Sequence, residues 1–211
     1  NGPSLYDDIA RVPLSIAGPG LHQGEVYHHT VSHADLPATV LDYMGLPVPG
    51  AFTGKSLLLG LQNGELDAEG SAFVEFNRYE RDHDGFGGYQ PMRAIVTDRY
   101  KLALHMTDQD ELYDIQKDPW NLNNLIDDPA YAQVRNQLHD RILDWMNRTR
   151  DPFRGYQWKC RPWRDLTADW EVDGWTRQSE NERGEYRQED YSTGLTTVES
   201  SRYKKKKETK I

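Results

Sequence analysis

The local fold is decided by Asp110-Glu111-Leu112-Tyr113-Asp114-Ile115-Gln116-Lys117-Asp118-Pro119-Trp120-Asn121-Leu122-Asn123-Asn124-Leu125. Within this stretch, Glu111 to Ile115 is strand-like. Lys117-Asp118-Pro119 predicts a turn, because an aspartate side chain accepts hydrogen bonds from the backbone ahead of it and proline fixes φ. Asp127-Asp128-Pro129, just beyond the stretch, predicts the start of a helix.

Two segments upstream predict further strands. They are Ala72 to Phe76 and Ala94 to His105, and the second carries Thr97-Asp98-Arg99-Tyr100-Lys101-Leu102. Between them, the segment Asn77 to Gln90 is polar, contains three glycines and shows no periodicity, which predicts a loop. The strands therefore predict a small antiparallel sheet that precedes a helix.

The segment Pro129 to about Arg148 has the clearest helical pattern in the chain, with Asp128 as the predicted N-cap and Pro129 in the first turn. Five apolar side chains fall on one face: Val134, Leu138, Ile142, Trp145 and Met146. We expect this face to pack across the sheet, where each buried side chain contributes about 1.5–3 kcal/mol. His139 lies on the opposite, polar side and is predicted to be solvated.

The first fifty residues predict three elements. Ser4-Leu5-Tyr6-Asp7 has capping-box spacing and predicts a short helix to about Ala10. Val12 to Ala17 is an apolar run that predicts a buried strand. Asp35 is the predicted N-cap of a helix that ends at Gly45. The apolar face of that helix is predicted from four side chains: Leu36, Val40, Leu41 and Met44.

Two motifs resemble the C-terminal subdomain of the sulfatases, within the alkaline-phosphatase superfamily. The first is Arg93-Ala-Ile-Val-Thr97-Asp-Arg-Tyr100-Lys101-Leu102, and the second is the stretch from Glu111 to Leu125. Asn121 departs from the family, which more often has an acidic residue at this position. The segment from Tyr6-Asp7-Asp8 to Gly18-Pro19-Gly20 is similar to the sulfatase segment that leads into a strand of the large central sheet.

The resemblance implies an α/β fold, the C-terminal part of an alkaline-phosphatase-like α/β sandwich plus a small α+β subdomain with a short antiparallel sheet packed by one long helix. Residues 1–62 are expected to form the strand and helix part of the large sulfatase domain. Residues 63–149 are expected to form the small subdomain, and residues 150–211 an extended Arg/Trp-rich segment with a polar tail. The chain therefore reads as the trailing fragment of a longer polypeptide.

The resemblance also implies a function. The parent enzyme would hydrolyse sulfate esters with a formylglycine and a Ca²⁺ ion, and neither the nucleophile nor the Ca²⁺ ligands are expected in this chain. The chain alone is predicted to be inactive and to supply structural completion and the rim of the pocket. At least one of Arg78, His83 and Arg93 is predicted to contact the substrate, because a guanidinium binds oxyanions with two parallel hydrogen bonds. The alternative is that these residues belong to a solvated loop. Asn1 occupies the position of a sulfate-binding lysine of the family.

The implied partners are the N-terminal catalytic half of the protein and a sulfated small molecule or glycan. One alternative is a phosphonate or phosphate ester hydrolase of the same superfamily. The other is a non-catalytic interaction or glycan-binding module that could form an oligomer through its C-terminal segment. The arginine and aromatic side chains of residues 150–164 favour simple packing, and they could otherwise line a glycan groove or stack nucleic-acid bases.

Composition excludes several classes. The net charge of −9 and the pI of about 5.2 argue against a nucleic-acid partner. No run of about 18 apolar residues is present, so no membrane partner is predicted. The single cysteine excludes an internal disulfide and leaves the compartment open. Cys160-Arg161-Pro162-Trp163-Arg164 fits the sulfatase C-x-P-x-R motif, but it follows the last clear helix and is predicted to be a surface segment. The four histidines between His22 and His33 lack a helix that would present them to a metal ion.

Overall fold

The computed structural model describes residues 5–64, 70–78, 89–164, 189–190 and 195–196. The chain divides into two compact units. The described part of the first unit comprises residues 5–18, 28–31, 70–78 and 89–164. The described part of the second comprises residues 19–27 and 32–64 with two short strands near the C-terminus.

The first unit contains a four-stranded sheet and a long helix. Its α-helices are α1 (Asp7–Ala10), α4 (Ala132–Arg148) and α5 (Tyr156–Lys159), and a 3₁₀ turn at Pro129–Tyr131 precedes α4. Its strands are β1 (Ser71–Arg78), β2 (Tyr89–Thr97), β3 (Tyr100–His105) and β4 (Glu111–Asp114). The second unit contains α2 (Asp35–Tyr43), α3 (Leu58–Asn63), β5 (Glu189–Asp190) and β6 (Leu195–Thr196).

The sheet is fully antiparallel, with the strand order β1-β2-β3-β4. The prediction of one strand from Ala94 to His105 is wrong, because a tight turn divides it into β2 and β3. The hydroxyl of Thr97 closes this turn by accepting a hydrogen bond from Tyr100 N at 2.9 Å and donating one to Tyr100 O at 3.0 Å. The predicted loop after Asn77 is also shorter than expected, since β2 already begins at Tyr89.

One face of the sheet packs against α4. The buried cluster contains ten side chains: Ile95, Leu102, Leu104, Leu112, Ile126, Leu138, Ile142, Leu143, Met146 and Trp158. The predicted helix stripe is confirmed at Leu138, Ile142 and Met146. The predicted N-cap residue caps the 3₁₀ turn that precedes α4, since Asp128 Oδ1 accepts a hydrogen bond from Ala130 N at 2.9 Å, whereas α4 itself has Tyr131 at its N-cap. The prediction for His139 is wrong, because this side chain is completely buried.

The opposite face of the sheet is covered by the N-terminal segment. Leu5 packs into a second cluster with Met92, Ala94 and Ala103. The buried ammonium of Lys101 donates to Leu5 O at 2.7 Å and approaches an Asp7 oxygen at 3.2 Å. A charge removed from water needs such partners, so this lysine fixes the N-terminal segment on the sheet.

The predicted strand from Val12 to Ala17 is wrong. This segment has no regular secondary structure, and the side chains of Val12 and Leu14 are 50% and 43% exposed. A strand is stabilised by hydrogen bonds to a neighbouring strand, and none is paired with this segment in the part of the chain that the structure describes.

The predicted apolar face of α2 is exposed in the second unit. Val40 and Met44 are largely exposed, whereas the buried residues of this helix are Asp35, Ala38 and Thr39. Asp35 is not the N-cap but the first helical residue. Its carboxylate accepts hydrogen bonds from the backbone N–H groups of Ser32 and Lys55, each at 2.8 Å. The buried residues of α2 therefore include the hydrogen-bonded carboxylate of Asp35 and do not coincide with the apolar face predicted from the sequence.

The side chain of Asn124 forms hydrogen bonds at the outer edge of β4. Its Oδ1 accepts hydrogen bonds from Leu112 N at 3.0 Å and Ile126 N at 3.1 Å, and its Nδ2 donates to Asp110 O at 3.0 Å. Leu125 N adds a backbone bond to Leu112 O at 2.8 Å. Because β4 is the edge strand of the described sheet, this amide side chain forms hydrogen bonds that a further strand would otherwise form.

Replacement of Asn124 by alanine is expected to lower the free energy of unfolding by about 2 kcal/mol, because three hydrogen bonds are lost and water can replace them only in part. Urea denaturation of the purified chain measures this change. Asn123→Ala is the matched control, since only the backbone N–H of Asn123 is bonded, to Asp118 Oδ2 at 2.8 Å. Equal stability of the two variants would contradict this role of Asn124.

Candidate functional site

The three predicted substrate contacts lie on or near the β1–β2 hairpin. Arg78 is the last residue of β1 and its backbone is paired with Tyr89. His83 lies outside the described residues. Arg93 lies within β2, paired in register with Glu75 of β1 and Leu104 of β3. The structure therefore places Arg78 and Arg93 on two neighbouring strands of the sheet.

Arg93 is enclosed by protein. Its side chain is 2% exposed, and its guanidinium forms a bidentate ion pair with Asp151, through Nε to Oδ2 and through Nη2 to Oδ1 at 3.0 Å. Nη1 donates to Phe76 O at 3.0 Å and to Met92 O at 2.7 Å. The predicted direct contact between Arg93 and substrate stays a prediction, but this burial argues for a different role.

Aromatic rings flank the Arg93 guanidinium. Its central carbon lies 5.4 Å from the ring centroid of Phe153 and 5.5 Å from that of Trp158. Cation–π attraction is strengthened where water is excluded, so both rings stabilise the buried charge. These aromatic residues come from the segment that follows α4.

Asp151 is held as firmly as Arg93. Its backbone N–H donates to Met146 O at 2.8 Å at the end of α4, and its Oδ1 accepts from Phe153 N at 2.8 Å. The carboxylate is buried and is oriented toward β2 by these bonds. Asp151 was not predicted as a site residue, because an aspartate after the end of a helix is typical of a solvated loop.

An aromatic stack connects α4 to β1. The rings of Phe73 and Trp145 are stacked with centroids 4.2 Å apart, and Trp145 Nε1 donates to Glu75 Oε1 at 2.8 Å. Trp145 belongs to α4 and the other two residues belong to β1. The helix is therefore tied to the same stretch of β1 that precedes Arg78.

The Cys160-Arg161-Pro162-Trp163-Arg164 segment is packed against the first unit. Cys160 is the C-cap of α5, so it does not open a helix. Arg161 Nη1 donates to His105 O at 3.0 Å and lies 3.4 Å from Asp110 Oδ1. Burial lowers the pKa of Arg161 despite the neighbouring carboxylate of Asp110. These contacts describe a packed structural segment and give no support to a nucleophilic role for Cys160.

His139 is a buried neutral imidazole. Its Nε2 lies 2.7 Å from Trp158 O, and because a carbonyl only accepts, Nε2 carries the proton. Its Nδ1 then accepts from Arg164 Nη1 at 2.7 Å. Burial lowers the pKa of His139 to about 4, and the Arg164 charge acts in the same direction. This residue connects α4 to the segment that contains Trp158.

The histidines near the N-terminus do not form a metal site among the described residues, where no group of three or more His, Cys, Asp or Glu side chains could hold a metal ion. His29 Nδ1 instead lies 2.6 Å from Asp98 Oδ2. Burial acts to raise the pKa of Asp98, but hydrogen bonds from His29 and Thr30 hold it below its ordinary value.

No helix within the described ranges is both long and apolar enough to cross a membrane.

Fold and motif together define a sulfatase C-terminal region. Residues 3–148 match the family model described as N-sulphoglucosamine sulphohydrolase, C-terminal, and the chain belongs to this family. The predicted recognition as a C-terminal sulfatase portion is thereby confirmed. The match includes Arg93 and ends at the last residue of α4, so Asp151 lies just beyond it.

Individual relatives are sulfatases as well. The sulfatase YidJ of Escherichia coli K12 is 42% identical over 197 residues, which cover 93% of this chain and 38% of that protein. The Delta 4,5-hexuronate-2-O-sulfatase of Bacteroides thetaiotaomicron is 29% identical over 163 residues, which cover 75% of this chain and 33% of that protein. The chain therefore spans well under half the length of these relatives.

The structural comparison agrees. The solved structure of a 2-O GAG sulfatase superposes with a TM-score of 0.63 at 29% identity, over 72% of this chain and 33% of that one. The predicted fold class, part of a sulfatase α/β domain with a small subdomain of antiparallel sheet and long helix, is confirmed.

Proposed function

We propose that this chain is the C-terminal part of an enzyme that hydrolyses sulfate esters. The observation that carries the proposal is the match of residues 3–148 to a sulfatase family, supported by identity to sulfatases over most of the chain. In this arrangement the chain completes the fold and contributes to the rim of the substrate pocket, and its partner is the N-terminal catalytic part of the protein.

An exposed apolar surface in the second unit supports this partner. Eight large apolar side chains there are exposed: Val26, Val40, Tyr43, Met44, Leu46, Val48, Phe52 and Leu59. Adjacent exposed apolar residues mark contact surfaces. We propose that the N-terminal part of the sulfatase covers this surface, and that it supplies the formylglycine and the ligands of a Ca²⁺ ion.

The proposed substrate is a sulfated sugar. The human N-sulphoglucosamine sulphohydrolase, 26% identical over 212 residues, which cover 75% of this chain and 40% of that protein, is named for a substrate of this kind. We propose that Arg78 and His83 contact the substrate, because a guanidinium and a protonated imidazole both donate hydrogen bonds to sulfate oxygens.

The proposal is tested by measuring sulfate release with and without the N-terminal part. The two parts together are expected to release sulfate from N- or O-sulfated glucosamine, and residues 1–211 alone are expected to release none. Turnover by residues 1–211 alone that Cys160→Ala abolishes would contradict the proposal. Hydrolysis of aryl phosphonates or phosphates without any sulfate release would identify the other ester hydrolase of the superfamily instead.

Substitution of the proposed contacts gives a sharper test. Arg78→Ala and His83→Ala are each expected to raise KM for the sulfated sugar by about 10-fold, since a hydrogen bond to a charged group is worth about 1.5–3 kcal/mol. Arg148→Ala is the control, because Arg148 is exposed on the last turn of α4. Unchanged KM in both variants would remove Arg78 and His83 from the substrate site.

A further inference from the structure

The buried Arg93–Asp151 pair lies where the β1–β2 hairpin becomes irregular. The two strands keep regular register up to Phe76 and Met92, and the register then shifts before Arg78 pairs with Tyr89. Arg93 Nη1 donates to the carbonyl oxygens of both Phe76 and Met92. A single guanidinium group therefore bonds to both residues of the pair, Phe76 and Met92, that adjoins the register shift.

The other side of the pair is fixed to α4. Asp151 receives both Nε and Nη2 of Arg93, while its own backbone N–H is bonded to Met146 O and its carboxylate to Phe153 N. Three parts of the first unit thus meet at one ion pair: the end of β1, the start of the regular part of β2 and the segment after α4.

Energetics favour a geometric role for this pair. Removing two charges from water costs several kcal/mol per ion, and apolar residues of similar volume are often as stabilising or more so. The side chains of Arg93 and Asp151 are 2% and 0% exposed. A bidentate pair does, however, fix orientation in a way that apolar packing does not. The pair therefore serves to hold the hairpin at one angle relative to α4.

We propose that Arg93 and Asp151 are positioning residues that aim the end of β1, and with it Arg78, at the sulfated substrate. This inference rests on the proposed sulfatase function. Arg93 then acts from behind the hairpin and does not touch the substrate. The pair is expected to affect binding of a substrate large enough to reach Arg78, and to leave the chemistry at the sulfate group unaffected.

The test uses the enzyme assembled with its N-terminal part and two substrates, a sulfated disaccharide and the small 4-nitrophenyl sulfate. Asp151→Asn and Arg93→Lys, which each lose the bidentate geometry, are expected to raise KM for the disaccharide at least 10-fold. For both variants kcat is expected to stay within twofold, and both constants for 4-nitrophenyl sulfate are expected to stay within twofold. Asp144→Asn, on the exposed side of α4, is the control and should change neither substrate.

The outcomes separate the competing explanations. Proportional loss of activity on both substrates would mean a purely structural pair and would overturn the inference. An impaired Arg93→Lys beside an unaffected Asp151→Asn would mean that Arg93 contacts substrate directly, which also overturns it. If Asp151→Asn does not fold, Asp151→Glu takes its place in the comparison, because it keeps the charge but displaces the carboxylate. Absence of sulfate release from either substrate by the unmodified enzyme would instead refute the proposed function.

A second readout does not depend on activity. In Arg93→Lys, amide hydrogen exchange of Glu75 to Arg78 and of Tyr89 to Met92 is expected to accelerate at least 10-fold, while exchange within α4 stays unchanged. Equal acceleration in the hairpin and in α4 would show that the pair supports the whole unit and not the hairpin position.

Discussion

Replacement of Trp158 by alanine is expected to lower the free energy of unfolding by about 3–5 kcal/mol, the usual cost of removing a large aromatic side chain from a core. Trp158 has no solvent exposure and belongs to the main buried cluster. Its ring lies 5.5 Å from the guanidinium carbon of Arg93 and 5.4 Å from that of Arg161. Alanine would thus leave a cavity and remove a cation–π partner from two arginines.

Urea denaturation of residues 1–211 measures this loss, read from the midpoint at constant slope. Tyr156→Ala is the matched control, because Tyr156 lies two residues earlier in the same short helix and is 68% exposed. The control is expected to change stability by less than about 0.5 kcal/mol. A Trp158 variant as stable as the control would show that the segment after α4 is not part of the folded core.

This prediction bears on the segment from residue 150 to residue 164. From the sequence, this segment was predicted to be extended and separate from the small subdomain. In the structure it contributes Trp158 to the main cluster and Asp151 to the buried ion pair. Packing was the interpretation that the sequence favoured for its arginine and aromatic side chains, and the stacking of Arg93 and Arg161 on Trp158 agrees with it.

The periodicity of apolar residues correctly predicted the long helix, whose buried side chains lie on one face. Leu138, Ile142 and Met146 recur at helical spacing, and a helix places all three on one buried face. The N-cap at Asp128 was equally predictable, because it depends on a local hydrogen bond to Ala130. Local chemistry and a single amphipathic face are properties that sequence alone displays.

The failures share a physical cause, because turns and burial here depend on particular contacts that a pattern of apolar residues does not display. The division between β2 and β3 was missed because a threonine hydroxyl makes the turn, without the glycine or proline that usually marks one. Val40 and Met44 were expected to be buried, yet nothing in the described second unit covers them. The buried ion pair of Arg93 was not predicted, because its partner Asp151 is 58 residues away.

His139 shows the same cause with a measurable consequence. A histidine on the polar side of an amphipathic helix was expected to be solvated, but Trp158 O and Arg164 Nη1 satisfy both of its ring nitrogens. Asp140 lies beside it and binds Arg164 Nη2 at 2.7 Å, while Arg161 adds a further positive charge nearby. Protonation would place a second N–H against the Arg164 guanidinium, so the folded state opposes it.

The folded state of residues 1–211 is therefore expected to lose stability as the pH falls from about 6.5 to about 4. Burial lowers the pKa of His139 from 6.5 to about 4, so in this window the unfolded chain binds the proton and the folded chain does not. Stability then rises with pH across the window and is complete above pH 6.5. One pKa unit corresponds to about 1.36 kcal/mol, which gives a loss of about 3 kcal/mol at pH 4.

The measurement is urea denaturation at several pH values, compared between the natural chain and His139→Gln, whose amide can still donate to Trp158 O. The difference between the two slopes isolates His139 from His105, whose pKa burial also lowers, and from the carboxylates of Asp98 and Asp114, which lose stabilisation only at more acidic pH. The natural chain is expected to lose about 3 kcal/mol more than the variant between pH 7 and pH 4. Parallel pH profiles would contradict this prediction. They would show that protonation of His139 does not lower the free energy of unfolding, and that its hydrogen bond to Arg164 does not hold the segment after α4 in place.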